Sequence, residues 1–145
     1  MTRSHSLKLS LFVAGVLAAT SGFAAGTDKM SKEDYKAAKD KISADYKAAK
    51  ELCKPMKDNA QDVCEKEAKA KEKIAMAELD FNRSGKDTDR AKLAKVKADQ
   101  DYEVAKEKCE DQKGDGMMAC KKEAKAMHDK AVADAKAEKK VAKAG

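Results

Sequence analysis

The sequence contains no tryptophan, one proline, three phenylalanines and three tyrosines in 145 residues. Phe12 and Phe23 lie in the N-terminal stretch, which leaves Tyr35, Tyr46, Phe81 and Tyr102 for the remainder. A core of bulky side chains is therefore excluded. Burial contributes roughly 25 cal/mol per Å² of apolar surface, and alanine holds most of the apolar positions. Stability has to come from alanine-rich helix propensity, narrow seams and covalent staples.

Histidine is also scarce. His5 belongs to the N-terminal stretch and His128 stands alone on a polar segment. A His-based triad or a His-rich metal site within one chain is excluded. There is no glycine-rich phosphate loop, no Gly-x-Ser-x-Gly elbow and no His-Glu-x-x-His pair. Carboxylates are plentiful, but they alternate with lysine on a helical period. That is the pattern of a solvated face, and a buried acid–base pair with separated pKa values is not indicated. The expectation is a protein that is not an enzyme and carries no cofactor. Long runs of one charge are missing as well. Lys and Arg number 32 against 26 Asp and Glu, and acids interrupt the basic stretches almost everywhere. Sequence-specific nucleic-acid binding needs a clustered basic stripe and is not expected. Only Lys136, Lys139, Lys140 and Lys143 are locally rich in charge of one sign. Weak binding of anionic envelope components or of metal ions is the secondary expectation.

The N-terminus has a recognisable plan. Arg3 and Lys8 flank or precede an apolar run, Leu9 to Ala19, broken only by Ser10 and Gly15. Gly22 and Ala24 then stand at −3 and −1 of a cleavage site. This is the three-part pattern of a secretory signal peptide. The apolar run is about half the ~20 residues that a membrane-spanning helix needs. Residues 1–24 are read as a signal peptide cleaved after Ala24, with no transmembrane segment left afterwards. The first cysteine is Cys53, so a lipid-anchored N-terminus is not expected. The destination is a secreted compartment, the periplasm.

What the chain does have is a repeat. Residues 45–79 align with 101–135 at an offset of 56 without a gap, and 15 of 35 positions are identical. Each copy carries a tyrosine, a cysteine seven residues on, and a second cysteine after ten more. These are Tyr46, Cys53 and Cys64, then Tyr102, Cys109 and Cys120. Helical periodicity runs through both copies. Ser31 with Asp34 suggests a capping box, and Tyr35, Ala38, Ile42, Tyr46, Ala49 and Cys53 form one face of a first helix. Pro55 ends it. A second helix is expected from about Ala60 to Phe81, capped by Asp58 or Asn59, with Val63, Ala70, Ile74, Ala77 and Phe81 on one face. Glu65 with Lys69, and Glu67 with Lys71, are spaced for i,i+4 ion pairs. Gly85 suits a helix C-cap, and Asn82-Arg83-Ser84 reads as cap and turn, although it is also a formal glycosylation sequon. The third helix should run from Asp89 to Asp111, capped by Asp87 or Thr88. The fourth should follow the Lys113–Gly116 turn, from Met117 to about Lys140, burying Cys120, Ala124, Met127 and Ala131. The organisation is thus a first hairpin at 31–82, a second at 88–140, and a frayed tail at 141–145.

Each cysteine pair brackets a helix-to-helix turn. An exported chain with an even cysteine count reads as a disulfide framework, and the repeat favours Cys53–Cys64 and Cys109–Cys120. In an up-down-up-down arrangement both turns lie at one end, where four thiolates could instead hold zinc. Ten residues between ligands is far from the short knuckles of structural zinc sites, so bridges are preferred. Tyr35, Tyr46 and Tyr102 are read as seam residues between helices, in preference to a ligand stripe. The fold class is all-α, two homologous disulfide-stapled hairpins, packed as a four-helix bundle with coiled-coil-type seams or extended as a rod.

Runs such as EKEAKAKEKIA (65–75) and KKEAKAMHDKAVADAKAEKK (121–140) give the chain a resemblance to small secreted bacterial proteins of TolA-like label. The likeness is to the long Lys/Ala-rich helical middle of that envelope protein. It implies a cell-envelope context and no residue-level role. The regular cysteine pairs depart from it. The combined expectation is a non-enzymatic structural or interaction protein of the cell envelope, working through protein partners or self-association along its helices. Protein recovered from the export compartment should begin at Ala25 by intact mass. A retained Met1 would show that the N-terminal stretch is an anchor or a piece of the fold.

Overall fold

A computed structural model describes residues 30–144, with side chains through Val141. The signal peptide and its Ala24 cleavage site lie outside the described residues. Four helices follow one another: α1 (Lys32–Cys53), α2 (Asp58–Ser84), α3 (Asp87–Lys108) and α4 (Asp115–Ala144), with a short 3-10 turn at Cys109–Asp111. No strand occurs among the described residues. The fold is all-α.

Local chemistry sets the ends. Ser31 caps α1, its Oγ accepting from the Asp34 backbone N–H at 2.9 Å and donating to the Asp34 carboxylate at 2.8 Å. Gly85 closes α2 at φ +63, and its N–H donates to the Phe81 carbonyl at 2.8 Å. That left-handed geometry favours glycine. The other three starts each fall two residues earlier than the sequence suggests. Asp58, Asp87 and Asp115 are the first residues of their helices, and the caps of α2 and α3 are the extended Lys57 and Lys86, without side-chain cap bonds. An aspartate inside the first turn complements the positive end of the helix dipole, so the acid reads as a cap but works one position further in. Residues 141–144 continue α4. Alanine and lysine are strong helix formers, and cations in the last turn suit the dipole there.

The four helices run antiparallel to their chain neighbours. Packing is between consecutive helices: α1 on α2, α2 on α3, α3 on α4. Helices α1 and α4 do not close against each other, so the result is an open meander. The rod alternative is excluded because α2 and α3 fold back on one another at Gly85. Asn59 Nδ2 donates to the Glu107 carbonyl at 3.2 Å, which joins the start of α2 to the end of α3. Both cysteine-bearing turns therefore lie at one end, as expected.

The core is a set of alanine seams. Ala68, Ala70, Ala77, Ala91, Ala98, Ala124 and Ala135 are buried, and Leu79 is the one large aliphatic among the buried residues described. The expected faces of α1 and α2 are half-buried or buried throughout, and Ala91 and Ala98 of α3, with Cys109 just past its end, are buried. On α4, Met127 is 58 % exposed and leaves the expected buried face; Ala124 and Ala135 carry it. The alanine positions let helices approach closely, and a flexible thioether one turn away has nothing large to pack against.

Both expected bridges are present. Cys53–Cys64 and Cys109–Cys120 span Cα–Cα distances of 5.6 and 5.7 Å, each across a sequence separation of 11. Cys53 and Cys109 are fully enclosed, the largest side chains to be so among the described residues. The described chain has no free cysteine, which removes the four-thiolate zinc site. Reduction of both bridges should lower stability by about 3 kcal/mol per bridge in the chain-entropy picture. Urea unfolding with and without reductant checks this. An unchanged midpoint would mean that the seams suffice by themselves.

Candidate functional site

Two polar constellations and two grooves lie along the seams. The first lies at the Gly85 end. Tyr35 Oη donates to Asp80 Oδ1 at 2.7 Å, linking α1 to α2. Lys92 Nζ reaches Asp80 Oδ2 at 3.2 Å from α3, and the Arg83 guanidinium lies 4.3 Å from the centre of the Tyr35 ring. The Tyr35 bond holds the Asp80 carboxyl below its ordinary value of 3.8, against the opposing effect of burial and with help from Lys92. The same bond, with burial, raises the Tyr35 phenol above 10.0. This is a clasp at the end of the layer opposite the disulfides.

The second constellation is centred on His128. Its Nε2 is 2.8 Å from Asp99 Oδ1 and its Nδ1 is 3.5 Å from Asp129 Oδ1. The imidazole lies against Tyr102, with ring centroids 4.9 Å apart and tilted by 34°. Burial alone would raise the Asp99 carboxyl; hydrogen bonds from Lys95 and His128 outweigh it and hold Asp99 below 3.8. Asp99, Tyr102 and His128, together with Lys66, Lys69, Lys73, Gln100 and Glu103, line a cavity of about 450 Å³ against α2.

The third feature is a groove on the other side of the α2–α3 seam. Ala70, Ile74, Val104 and Ala105 form its floor, and Glu67, Lys71, Asp101 and Lys108 its rim, around about 450 Å³. A smaller groove of about 270 Å³ follows α1 and α2 past Ile42, Tyr46 and Ala49.

All three tyrosines singled out in the sequence are half-buried seam residues. The structure does not bring them together: Tyr35 serves the clasp, Tyr46 the α1–α2 groove and Tyr102 the histidine cluster. The expected pairs of Glu65 with Lys69 and Glu67 with Lys71 are replaced. Glu65 pairs with Lys50 of α1 at 3.6 Å, and Glu67 with Lys108 of α3 at 2.6 Å. A neighbouring helix offers a cation at shorter range than the next turn does. Lys97–Glu78 and Lys66 with Glu103 and Glu107 bracket the α2–α3 seam in the same way. Such exposed pairs add little stability, but they favour one register.

Gln100, Asp99 and His128 are the positions that reading by periodicity missed. The repeat contains a signal for His128 alone, since Asp99 and Gln100 precede the aligned stretch 101–135. At the offset of 56, Tyr102 matches Tyr46 and His128 matches Glu72, while Asp99 and Gln100 fall opposite Ser43 and Ala44. The aromatic is retained and the histidine beside it is exchanged. Among the described residues, no group of three or more His, Cys, Asp or Glu side chains is arranged to hold a metal ion. No described helix is long and apolar enough to cross a membrane. The disulfides fit a chain that matures in an oxidising, secretory environment. No family model, curated protein or solved structure matches the chain.

The clasp makes a pH prediction. A carboxyl held low in the folded state adds stability that is complete above the unfolded value of 3.8 and is lost as pH falls through the lower folded value. Tyr35→Phe should move the Asp80 titration, followed by carboxyl NMR, back toward 3.8. It should also flatten the acid limb of the stability curve. An Asp80 titration that ignores the substitution would remove Tyr35 as the cause.

Proposed function

We propose that the protein is a non-enzymatic interaction protein of the cell envelope, exported to the periplasm, which engages protein partners or a second copy of itself through its helices. The observation that carries this reading is the open meander. Each terminal helix has one helical neighbour, and the Ala70–Ile74–Val104–Ala105 groove between α2 and α3 is left uncovered. The rim of that groove holds two acids and two lysines, so it suits a helix of mixed charge like those of this chain. Ile74 and Val104 are half-buried in the isolated molecule, and a helix laid across them would remove further apolar area from water. The signal-peptide pattern, the disulfides and the resemblance to TolA-like secreted proteins support the envelope setting.

The test uses a photo-cross-linking residue in place of Asp101 on the groove rim and, as a control, in place of Lys122, an exposed α4 residue away from it. Irradiation of cells carrying the oxidised protein should give a discrete adduct from position 101 and none from position 122. Ile74→Glu should abolish that adduct while leaving the helical circular-dichroism signal intact. Equal adducts at both positions, or none at 101, would overturn the groove as the contact surface.

A further inference from the structure

On the other side of the same seam, we propose that the cavity between α2, α3 and α4 binds a small aromatic anion. Lys69 and Lys73 would supply the counter-charge, Gln100 would bond a polar group, and the Tyr102–His128 pair would contact the ring. This does not depend on the interaction reading, because it uses other residues on the opposite side of α2.

Most charges around the cavity are already paired. Lys66 is within 3.7 Å of Glu103 and 3.5 Å of Glu107, so its charge is balanced. Asp99 is held by Lys95 and His128. Lys69 and Lys73 form no salt bridge among the described residues, and both are exposed. They are four residues apart, one turn, and so project from the same side of α2 over the cavity they line. The cavity therefore has two ammonium groups left over on one wall.

Gln100 is the second, independent observation. It is only 8 % exposed, the one buried polar residue among those described. Its side-chain amide makes no hydrogen bond with a described residue. Yet no described side-chain nitrogen or oxygen is both sealed from solvent and unpartnered. The Gln100 amide must then open onto the cavity it lines. The amide is thus reached from solvent through the cavity and is not sealed away. A glutamine there offers a donor and an acceptor to something in the cavity.

The third wall is aromatic. Tyr102 and His128 lie 4.9 Å apart at 34°, with His128 tethered by Asp99. Such a tilted pair offers an apolar contact to a planar ring. The volume of about 450 Å³ falls in the range of roughly 300–1,000 Å³ usual for small-molecule sites. Two point charges on flexible lysines recognise an anion without dictating carboxylate or phosphate, so the shared chemistry is an anionic head on a planar ring.

The test titrates oxidised, full-chain protein with indole-3-acetate, indole and acetate, following Gln100 side-chain and His128 resonances by NMR. Indole-3-acetate should shift both in a saturable way at millimolar concentration, and indole and acetate should bind more weakly. Lys69→Ala with Lys73→Ala should weaken binding about tenfold or more, and Gln100→Ala severalfold. Lys71→Ala, which removes the same charge from the other side of α2, should leave it unchanged. An equal loss with Lys71→Ala would reduce the effect to general charge attraction and overturn the site. So would the absence of saturable shifts at Gln100 and His128. Phenyl phosphate in place of indole-3-acetate reads which anionic head is preferred; binding of either with the same mutational pattern supports the site.

Discussion

An alanine seam draws two helices close but gives each contact little area to bury. Dispersion across such a seam is summed from many small terms, and nothing in it strongly opposes sliding by a turn. Among the described residues the buried set is seven alanines, Leu79 and two cysteines, with Gln100 as its polar member. Register therefore has to be fixed by other means. At one end the two disulfides fix it covalently, with the enclosed sulfurs of Cys53 and Cys109 acting also as the largest fully buried groups. At the other end the Tyr35–Asp80–Lys92 clasp ties α1, α2 and α3. Between the ends, ion pairs bracket the seams from their wet sides. The architecture is a weak adhesive held between stronger fastenings.

Much of this could be read from the chain because helical period and repeat are both one-dimensional signals. The α1 face from Tyr35 to Cys53 is a single stripe since α1 has a single helical neighbour. The bridges were legible since the repeat pairs each cysteine with a turn. Helices α2 and α3 behave differently. Each lies between two neighbours and buries two sides, so Ala68 and Leu79 are buried as well as Ala70 and Ala77. A search for one face finds half of such a helix. The ion pairs were misassigned for a related reason. Glu65 and Glu67 have lysines at i,i+4, but the choice between those and Lys50 or Lys108 is made by which helix stands beside them.

The histidine cluster was out of reach of periodicity. Asp99 and His128 are 29 residues apart, on different helices, and neither is apolar. Comparison of the two copies singles out His128, which stands against Glu72, but not Asp99, which precedes the aligned stretch. Ala68 and Ala124 match and are both buried, as expected of positions that serve the seam. The surroundings of the retained tyrosine differ because position 44 is exposed on α1, which packs on α2 only, whereas position 100 is buried on α3 between α2 and α4. The first hairpin also lacks a helix on its outer side, so Tyr46 has no counterpart of the three lysines that α2 presents to Tyr102.

The openness of the meander links these features. In a closed bundle, the inner sides of all four helices would face one core, and a buried Gln100 would require a partner there. In an open layer each seam has two accessible sides. Lys66, Lys69 and Lys73 fall on one side of the α2–α3 seam, and Glu67, Lys71 and Ile74 on the other, with Ala70 and Ala77 between them. The same twenty-odd residues of α2 thus carry a neighbour on each flank and a different surface on each side. Alanine makes this arrangement workable, because it holds the flanks close without covering the sides. Larger seam residues would strengthen the packing and spread over the two cavities. The thin core and the accessible cavities are then consequences of one choice, and the disulfides are what allow a core that thin to persist.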